Sequence, residues 1–324
     1  MHNPNLDLLR AVAVLLVLAA HVAGYTIKTT PTTYAMGQLG VMLFFVHTSL
    51  VLMQSLERQA ATGAALFRHF YIQRVFRIYP LCLVMLLAIY LLLDRGWSRW
   101  EIAANALLIQ NLVYSRYMAE ILWSLPLEVQ MYSVLPLLYL VFRQRPPHQL
   151  FGLWALSVPL AMLQPLVTAR LNVLEFSPCF LAGVLAWRIQ GRARWPGWLW
   201  PLALGLASVA FIALAQPRLN NYGRWLVCLA LGLVIPCLRE WRLPWVNRVS
   251  KEIARYSYGL YLFHPLMLWL SFVVLAQAPA LLQWGVLAAL LVLVPWLAYH
   301  MVEQPMIRLG SALNLPSTVP ARSR

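Results

Sequence analysis

The feature that most constrains the fold of this chain is the recurrence of apolar stretches long enough to cross a lipid bilayer. Stretches of about 20 apolar residues follow one another from end to end, separated by short polar breaks. Of the 324 residues, 61% are hydrophobic and only 11% are charged, against roughly 25% charged residues in soluble domains. We therefore predict an all-α, polytopic integral membrane protein with about ten transmembrane helices. The predicted spans are 8–27, 38–55, 76–93, 122–141, 150–168, 173–189, 198–215, 224–238, 256–275 and 281–301.

The distribution of charge predicts the orientation of these helices. The net charge is +15, but the basic residues lie in the breaks between spans and not along one helix face, so no nucleic-acid partner is expected. If the N-terminus is cytoplasmic, most of the 25 Lys and Arg residues fall on the cytoplasmic side, as the positive-inside rule requires. Both termini are therefore predicted to be cytoplasmic, and the lipid bilayer is the expected partner of the basic breaks.

Two breaks are longer than turns. Residues 56–77 are predicted to form a basic cytoplasmic segment, and residues 94–121 a segment on the opposite side of the membrane. We interpret residues 1–308 as one transmembrane domain and the Ser- and Pro-containing residues 309–324 as a flexible cytoplasmic tail. The four cysteines form no motif with histidine, so no metal site is predicted.

The first span contains two ionisable residues on one face. Arg10 and His21 are eleven residues apart, which places both side chains on the same side of a helix with about 16 Å of helix rise between them. An ionisable group within a membrane span needs a partner or a function. His21 is either a general base that takes a proton from an attacking hydroxyl or a histidine that joins two helices by a hydrogen bond.

Two further groups of polar residues fall at helical spacing. Arg74 and Arg77 share a helix face, and their guanidinium groups either bind phosphates or set the membrane topology. Glu128 and Tyr132 lie one turn apart in the fourth span. The Glu128 carboxylate either orients an imidazole, with His21 as the candidate, or links two helices.

A last group lies in the span that begins near residue 256. Ser257, Tyr261 and His264 stand at positions i, i+4 and i+7, and they either contact a substrate or pack between helices. His47 and His300 are further imidazoles in or near spans, and neither is assigned a role.

Five ordered motifs and a closing tetrapeptide resemble those of the acyltransferase-3 family, membrane proteins that acylate bacterial surface polysaccharides, exopolysaccharides and some secondary metabolites. The motifs are LDLLRAVAVLLVLAAH at 6–21, GVMLFFVHTSLVL at 40–52, RVFRIYPL at 74–81, WSLPLEVQMY at 123–132, SYGLYLFHPL at 257–266 and VEQP at 302–305. One motif departs from the family pattern at two positions, since Thr48 and Ser49 stand where the family has Ser-Gly. This departure bears on how closely backbones approach there and on the choice of acceptor.

The resemblance implies a ten-helix fold in the bacterial inner membrane and a cytoplasmic acyl-coenzyme A donor as co-substrate, with no permanently bound cofactor. It identifies Arg10 and His21 as the family's R-x10-H pair, Arg74 and Arg77 as its RxxR motif, and Glu128 as its WSLxxE carboxylate. His21, Glu128 and Arg10 are accordingly the predicted catalytic residues, Arg74 and Arg77 bind the donor, and Tyr132, His264 and Ser257 are the predicted substrate-binding residues. The expected reaction is O-acyl transfer, with acetyl the expected group, to a hydroxyl of a carbohydrate or of its lipid-linked precursor.

Two other classes of protein are compatible with intramembrane charges. A transporter or flippase for an anionic or lipid-linked sugar would use Arg10 and Glu128 as binding groups. The sequence has no pair of short, Gly- or Pro-broken helices in its two halves, the pattern that favours a transporter. A structural subunit of a polysaccharide assembly complex is the third class, and an ionisable face on the first span argues against it.

Overall fold

Helices make up almost all of the fold. The structure is a computed structural model that describes residues 3–59, 61–93, 95–168, 170–191, 194–213 and 220–313. Within these ranges there is no β-strand, which confirms the predicted all-α class.

Twelve α-helices lie within the described ranges, together with short 3₁₀ and π-helical turns. Glu120–Trp123 is a 3₁₀ turn before α5, and Leu270–Val274 and Tyr299–Glu303 are π-helical turns after α10 and α11. The helices are α1 (Pro4–Thr26), α2 (Pro31–Arg58), α3 (Gly63–Leu92), α4 (Arg99–Ala106), α5 (Leu125–Phe142), α6 (Pro147–Val167), α7 (Val173–Arg188), α8 (Leu199–Ala213), α9 (Asn220–Val234), α10 (Pro244–Trp269), α11 (Ala280–Ala298) and α12 (Gln304–Leu313).

The first two helices begin where the sequence supplies both a cap and a proline. The Asn3 side chain accepts a hydrogen bond from the Asn5 amide at 2.9 Å, and Pro4 occupies the first turn of α1. At the start of α2, Thr30 and Thr33 form a reciprocal capping box, followed directly by Pro31. Side-chain caps satisfy the free amides of a first turn, and proline there lacks only an amide that would be unpaired anyway.

Seven helical runs are long and apolar enough to cross a membrane, namely Pro4–Thr26, Pro31–Arg58, Gly63–Leu92, Glu120–Phe142, Pro147–Val167, Pro244–Val274 and Ala280–Leu313. The other three predicted spans coincide with α7, α8 and α9, which have 16, 15 and 15 residues. These lengths are shorter than the roughly 17 to 25 residues of a usual crossing. The count of ten crossings and the cytoplasmic placement of both termini therefore stay predictions.

The segment at 56–77, predicted to be basic and cytoplasmic, is helical over most of its length. Helix α3 starts at Gly63 and continues without interruption to Leu92, so only a short connection separates it from α2. Residues 64–79 contain no glycine or proline that would stop a helix, and the cytoplasmic placement of the segment stays a prediction. Arg74 and Arg77 consequently lie in the middle of a long helix and not at its start. At the other end of the chain, residues 309–313 belong to α12, and the rest of the predicted tail lies outside the described residues.

Two glycines allow the central helices to approach closely. Helix α2 packs against α1 on one side and α7 on another, and α1 also packs against α10. A Cβ atom on Gly40 of α2 would lie 2.5 Å from the Ala13 carbonyl oxygen of α1, and one on Gly183 of α7 would overlap the Val46 carbonyl of α2 and lie 2.9 Å from Ser49 Cβ. A close approach is thus made beside Ser49 although the family's glycine is missing there, because α7 supplies the glycine.

Candidate active site

Two cavities lie next to each other between the central helices. The smaller one, here called the arginine cavity, has a volume of about 90 Å³ and is lined by residues of α1, α2, α3, α5 and α10. The larger one, here called the histidine cavity, has a volume of about 690 Å³ and contains His21. Val41 and Tyr261 line both cavities, so a single layer of side chains separates them.

The arginine cavity brings together residues from all five ordered sequence motifs. They include Arg10 from α1, His47 from α2, Arg74 and Arg77 from α3, Glu128 from α5 and Ser257 from α10. Its three guanidinium groups outnumber its one carboxylate. The lining therefore favours an anionic ligand.

Two of the three arginines in this cavity have a side-chain partner. Arg10 Nε donates to Ser257 Oγ at 2.6 Å, and this hydroxyl in turn donates to the Ala254 carbonyl at 2.8 Å. Arg77 Nη1 lies 3.1 Å from Oε1 of the buried Glu303, a contact that is an ion pair without the alignment of a hydrogen bond. Arg74 Nε is buried and has no hydrogen-bond partner among the described residues. Unpaired buried donors are costly, so Arg74 is the arginine with unused capacity to bind an anion.

Glu128 accepts a hydrogen bond from a neighbour on its own helix. The Tyr132 hydroxyl donates to Glu128 Oε1 at 2.7 Å, and both side chains line the arginine cavity. His21 lies in the other cavity, where its ring is held by a different group. The orienting role expected of Glu128 therefore falls to another residue.

That residue is Val17, one turn earlier on α1. His21 Nδ1 lies 2.9 Å from the Val17 carbonyl oxygen, and a carbonyl can only accept, so Nδ1 carries the hydrogen. In the neutral imidazole this leaves Nε2 with a free lone pair, the form that a general base requires. His21 lies near the end of α1 at Thr26, and Arg10 near its start at Pro4, so the two residues of the R-x10-H pair serve different cavities.

A second imidazole, that of His264, packs against the His21 ring. The His264 and His21 rings meet edge to face with centroids 4.8 Å apart. His264 is buried, and its Nδ1 donates to the Tyr261 carbonyl at 2.8 Å. Its Nε2 has no hydrogen-bond partner among the described residues. His264 does not belong to the lining of either cavity and packs on the candidate base, so its predicted contact with a substrate stays a prediction.

The boundary between the cavities carries hydroxyl groups. The Tyr261 hydroxyl lies 2.6 Å from Ser124 Oγ and 3.1 Å from the Ile121 carbonyl oxygen, to which it donates. Tyr261 belongs to the Ser257, Tyr261 and His264 stripe of α10, so that stripe runs from the arginine cavity past the boundary to His21. A ligand group that passed from one cavity to the other would meet this hydroxyl.

Sequence reasoning missed three polar residues of the site. His47 is buried, lines the arginine cavity and leaves its Nδ1 without a partner among the described residues. Glu175 of α7 and Arg224 of α9 line the histidine cavity and form an ion pair. Glu175 and Arg224 each stand near the start of a predicted span. Two opposite charges in otherwise apolar segments are the sequence feature that could have identified this pair.

The whole site falls within one family match. A family model described as an acyltransferase domain matches residues 3–300, which include every residue lining the two cavities. No curated protein and no solved structure matches the chain.

Proposed function

Because the chain belongs to the acyltransferase-3 family, we propose that it transfers an acyl group, acetyl in the first instance, from a coenzyme A thioester to a hydroxyl group of a carbohydrate. The observation that carries the proposal is the His21 imidazole, whose Nε2 lone pair is set by the Val17 carbonyl. This base lines a cavity that shares Val41 and Tyr261 with a cavity lined by three arginines.

The arginine cavity is the proposed donor site. Its volume of about 90 Å³ is well below the roughly 300 to 1,000 Å³ usual for small-molecule sites. It can therefore enclose only a small end of a donor and not a nucleotide. Arg77 has 28% of its side chain exposed, so the phosphates are proposed to bind outside the enclosed volume, at the outer ends of Arg77 and Arg74, with the thioester pointing inward.

The histidine cavity is the proposed acceptor site. A hydroxyl of the acceptor gives its proton to His21 Nε2 while its oxygen attacks the thioester carbonyl carbon. The carbon–sulfur bond then breaks, and the thiolate takes up the proton from the His21 imidazolium. Throughout, Nδ1 of His21 keeps its hydrogen bond to the Val17 carbonyl, so the ring stays aligned for both proton transfers. The thioester carbonyl is proposed to reach His21 at the boundary beside Tyr261, while the Arg10 guanidinium and the Glu128–Tyr132 pair line the part of the cavity that holds the rest of the donor.

Topology and location are part of the same proposal. With both termini cytoplasmic, the first residues of α1 and the arginine cavity face the cytoplasm, where acyl-coenzyme A is made. The histidine cavity then faces the other side of a bacterial inner membrane, where a surface polysaccharide or its lipid-linked precursor would be met.

The proposal is tested with full-length protein reconstituted in proteoliposomes. Acetyl-coenzyme A labelled in its acetyl group is supplied together with octyl β-glucoside as a carbohydrate acceptor, and both free thiol and labelled glycoside are measured. We expect thiol to be released and the label to become covalently attached to the sugar. Movement of intact labelled compound or of the glycoside across the membrane, without any thiol release, would instead establish a transporter and refute the proposal.

A further inference from the structure

A buried ion pair stands in the wall of the histidine cavity, in addition to His21. Arg224 Nη2 lies 2.5 Å from Glu175 Oε1, and both residues line the cavity. Their exposed side-chain fractions are 4% and 10%. Charges buried to this degree are expensive to remove from solvent, and a buried pair is weak evidence of a role in stability alone.

The pair is fixed in place by its neighbours. The Trp225 indole donates to the Glu175 backbone carbonyl at 3.0 Å, and the Arg224 guanidinium carbon lies 4.5 Å from the centroid of the Phe176 ring. Arg224 Nε is nevertheless buried without a hydrogen-bond partner among the described residues. The protein thus leaves part of the hydrogen-bonding capacity of this guanidinium unused, and the carboxylate beside it can accept further hydrogen bonds.

The rest of the histidine cavity combines aromatic rings with small polar groups. Tyr25, Tyr34, Tyr117 and Trp123 line it, as does Gln38. Its volume of about 690 Å³ falls within the range of roughly 300 to 1,000 Å³ usual for small-molecule sites. Aromatic faces pack against the C–H face of a sugar ring, while planar charged and amide groups bind its hydroxyls.

We propose that Glu175 and Arg224 bind two hydroxyl groups of an uncharged sugar ring and so select which remaining hydroxyl faces His21. The carboxylate accepts from one hydroxyl, and the Arg224 guanidinium donates to the other. An uncharged sugar fits better than a uronic acid or a phosphorylated sugar, because Glu175 already neutralises the guanidinium and would repel a second anion. This assignment rests on the proposed acyl transfer and gives its acceptor a chemical class.

The test compares octyl β-glucoside with octyl β-galactoside, which differ only in the orientation of one hydroxyl, and with octyl β-glucuronide, which is anionic. The variant is Glu175→Gln/Arg224→Gln, which removes both charges together and leaves no unpaired ion. A matched control is Glu240→Gln/Arg242→Gln, which removes an exposed ion pair outside both cavities. Acceptor-dependent transfer and acceptor-independent hydrolysis of acetyl-coenzyme A are measured separately for each protein.

We expect the wild type and the control to discriminate at least tenfold in kcat/KM between the two neutral glycosides and to use the glucuronide poorly. In the Glu175/Arg224 variant the acceptor KM rises at least tenfold and this discrimination is lost, whereas the Glu240/Arg242 control keeps the wild-type acceptor KM and the wild-type rate of acceptor-independent hydrolysis. An unchanged acceptor KM and unchanged discrimination in the folded variant would overturn the assignment. A wild-type preference for the glucuronide would overturn the uncharged-sugar class. If the wild type released no thiol with any acceptor or without one, the proposed acyl transfer itself would fall, and this assignment with it.

Discussion

Replacing Gly40 of α2 by alanine is expected to impair catalysis without touching either cavity's polar groups. A Cβ at this position would lie 2.5 Å from the Ala13 carbonyl oxygen and 2.7 Å from Val17 Cγ2. Val17 is the residue whose carbonyl holds the His21 ring. The substitution therefore pushes on the turn of α1 that orients the proposed base.

The size of the effect follows from these distances. Ordinary van der Waals contact begins at 3.4 Å, so relief of the 2.5 Å contact requires α1 and α2 to separate by about 0.9 Å at this point. A misplacement of about 1 Å in a catalytic group costs on the order of 100-fold in rate, and we expect kcat to fall about 10- to 100-fold. Stability changes less, because overpacking costs about 1–3 kcal/mol and replacing a helical glycine by alanine returns up to about 1 kcal/mol.

The assay is acyl transfer from labelled acetyl-coenzyme A at saturating donor and acceptor, with thermal unfolding in detergent measured in parallel. Gly285→Ala on α11 is the matched control, because a Cβ there meets no atom within 4 Å. It should keep the wild-type kcat and unfold at the same or a slightly higher temperature. A folded Gly40→Ala protein with the wild-type kcat would show that the α1–α2 contact does not position His21.

Three further perturbations test separate parts of the account. Tyr261→Phe removes the hydroxyl that bonds Ser124 and the Ile121 carbonyl at the boundary between the two cavities, so kcat should fall at least tenfold with an unchanged donor KM, and a wild-type kcat in the folded variant would show that this hydroxyl does not shape the path between the cavities. Glu303→Gln leaves Arg77 without its buried counter-ion and should lower the unfolding temperature, whereas Arg77→Gln/Glu303→Gln should recover part of the loss; two equal and additive losses would contradict this pairing. Hydrogen bonds from the Arg116 side chain and from the backbone amide of the helix cap Ser98 lower the pKa of Glu101 from 4.5 to about 2. The contribution of this carboxylate to the free energy of unfolding is therefore fully present above pH 4.5 and is lost as the pH falls through about 2. The difference in unfolding temperature between wild type and Glu101→Gln should therefore be constant from pH 7 to pH 5 and shrink below pH 4, and a difference that grew on acidification would refute the sign.

The sequence predicts the helical class well because burial in lipid imposes a simple pattern. A segment such as 8–27 must satisfy its backbone internally, and the observed α1 agrees with it closely. Helix geometry also relates residues within one helix, so the shared face of Glu128 and Tyr132 could be foreseen and appears as their hydrogen bond.

Contacts between helices could not be derived in this way. The spacing along α1 predicts that Arg10 and His21 share one helix face. It does not predict that they line two different cavities, because that depends on the position of Tyr261 of α10 between them. The ion pair of Glu175 with Arg224 joins two residues that are 49 positions apart in the sequence, and no local sequence pattern specifies it. Helix α3 starts at Gly63, well before the predicted span at 76–93, because charged residues alone do not end a helix and residues 64–79 contain no glycine or proline.

The most direct test of the account is the rate of acyl transfer by His21→Ala, with and without added imidazole. General acid–base catalysis contributes about 10²- to 10⁴-fold to a rate. The rate of transfer by the variant should therefore fall at least about 10²-fold while the protein still folds. The histidine cavity, at about 690 Å³, has room for free imidazole, which should restore part of the rate. Transfer at the wild-type rate by folded His21→Ala protein would contradict the claim that this imidazole takes the proton from the acceptor.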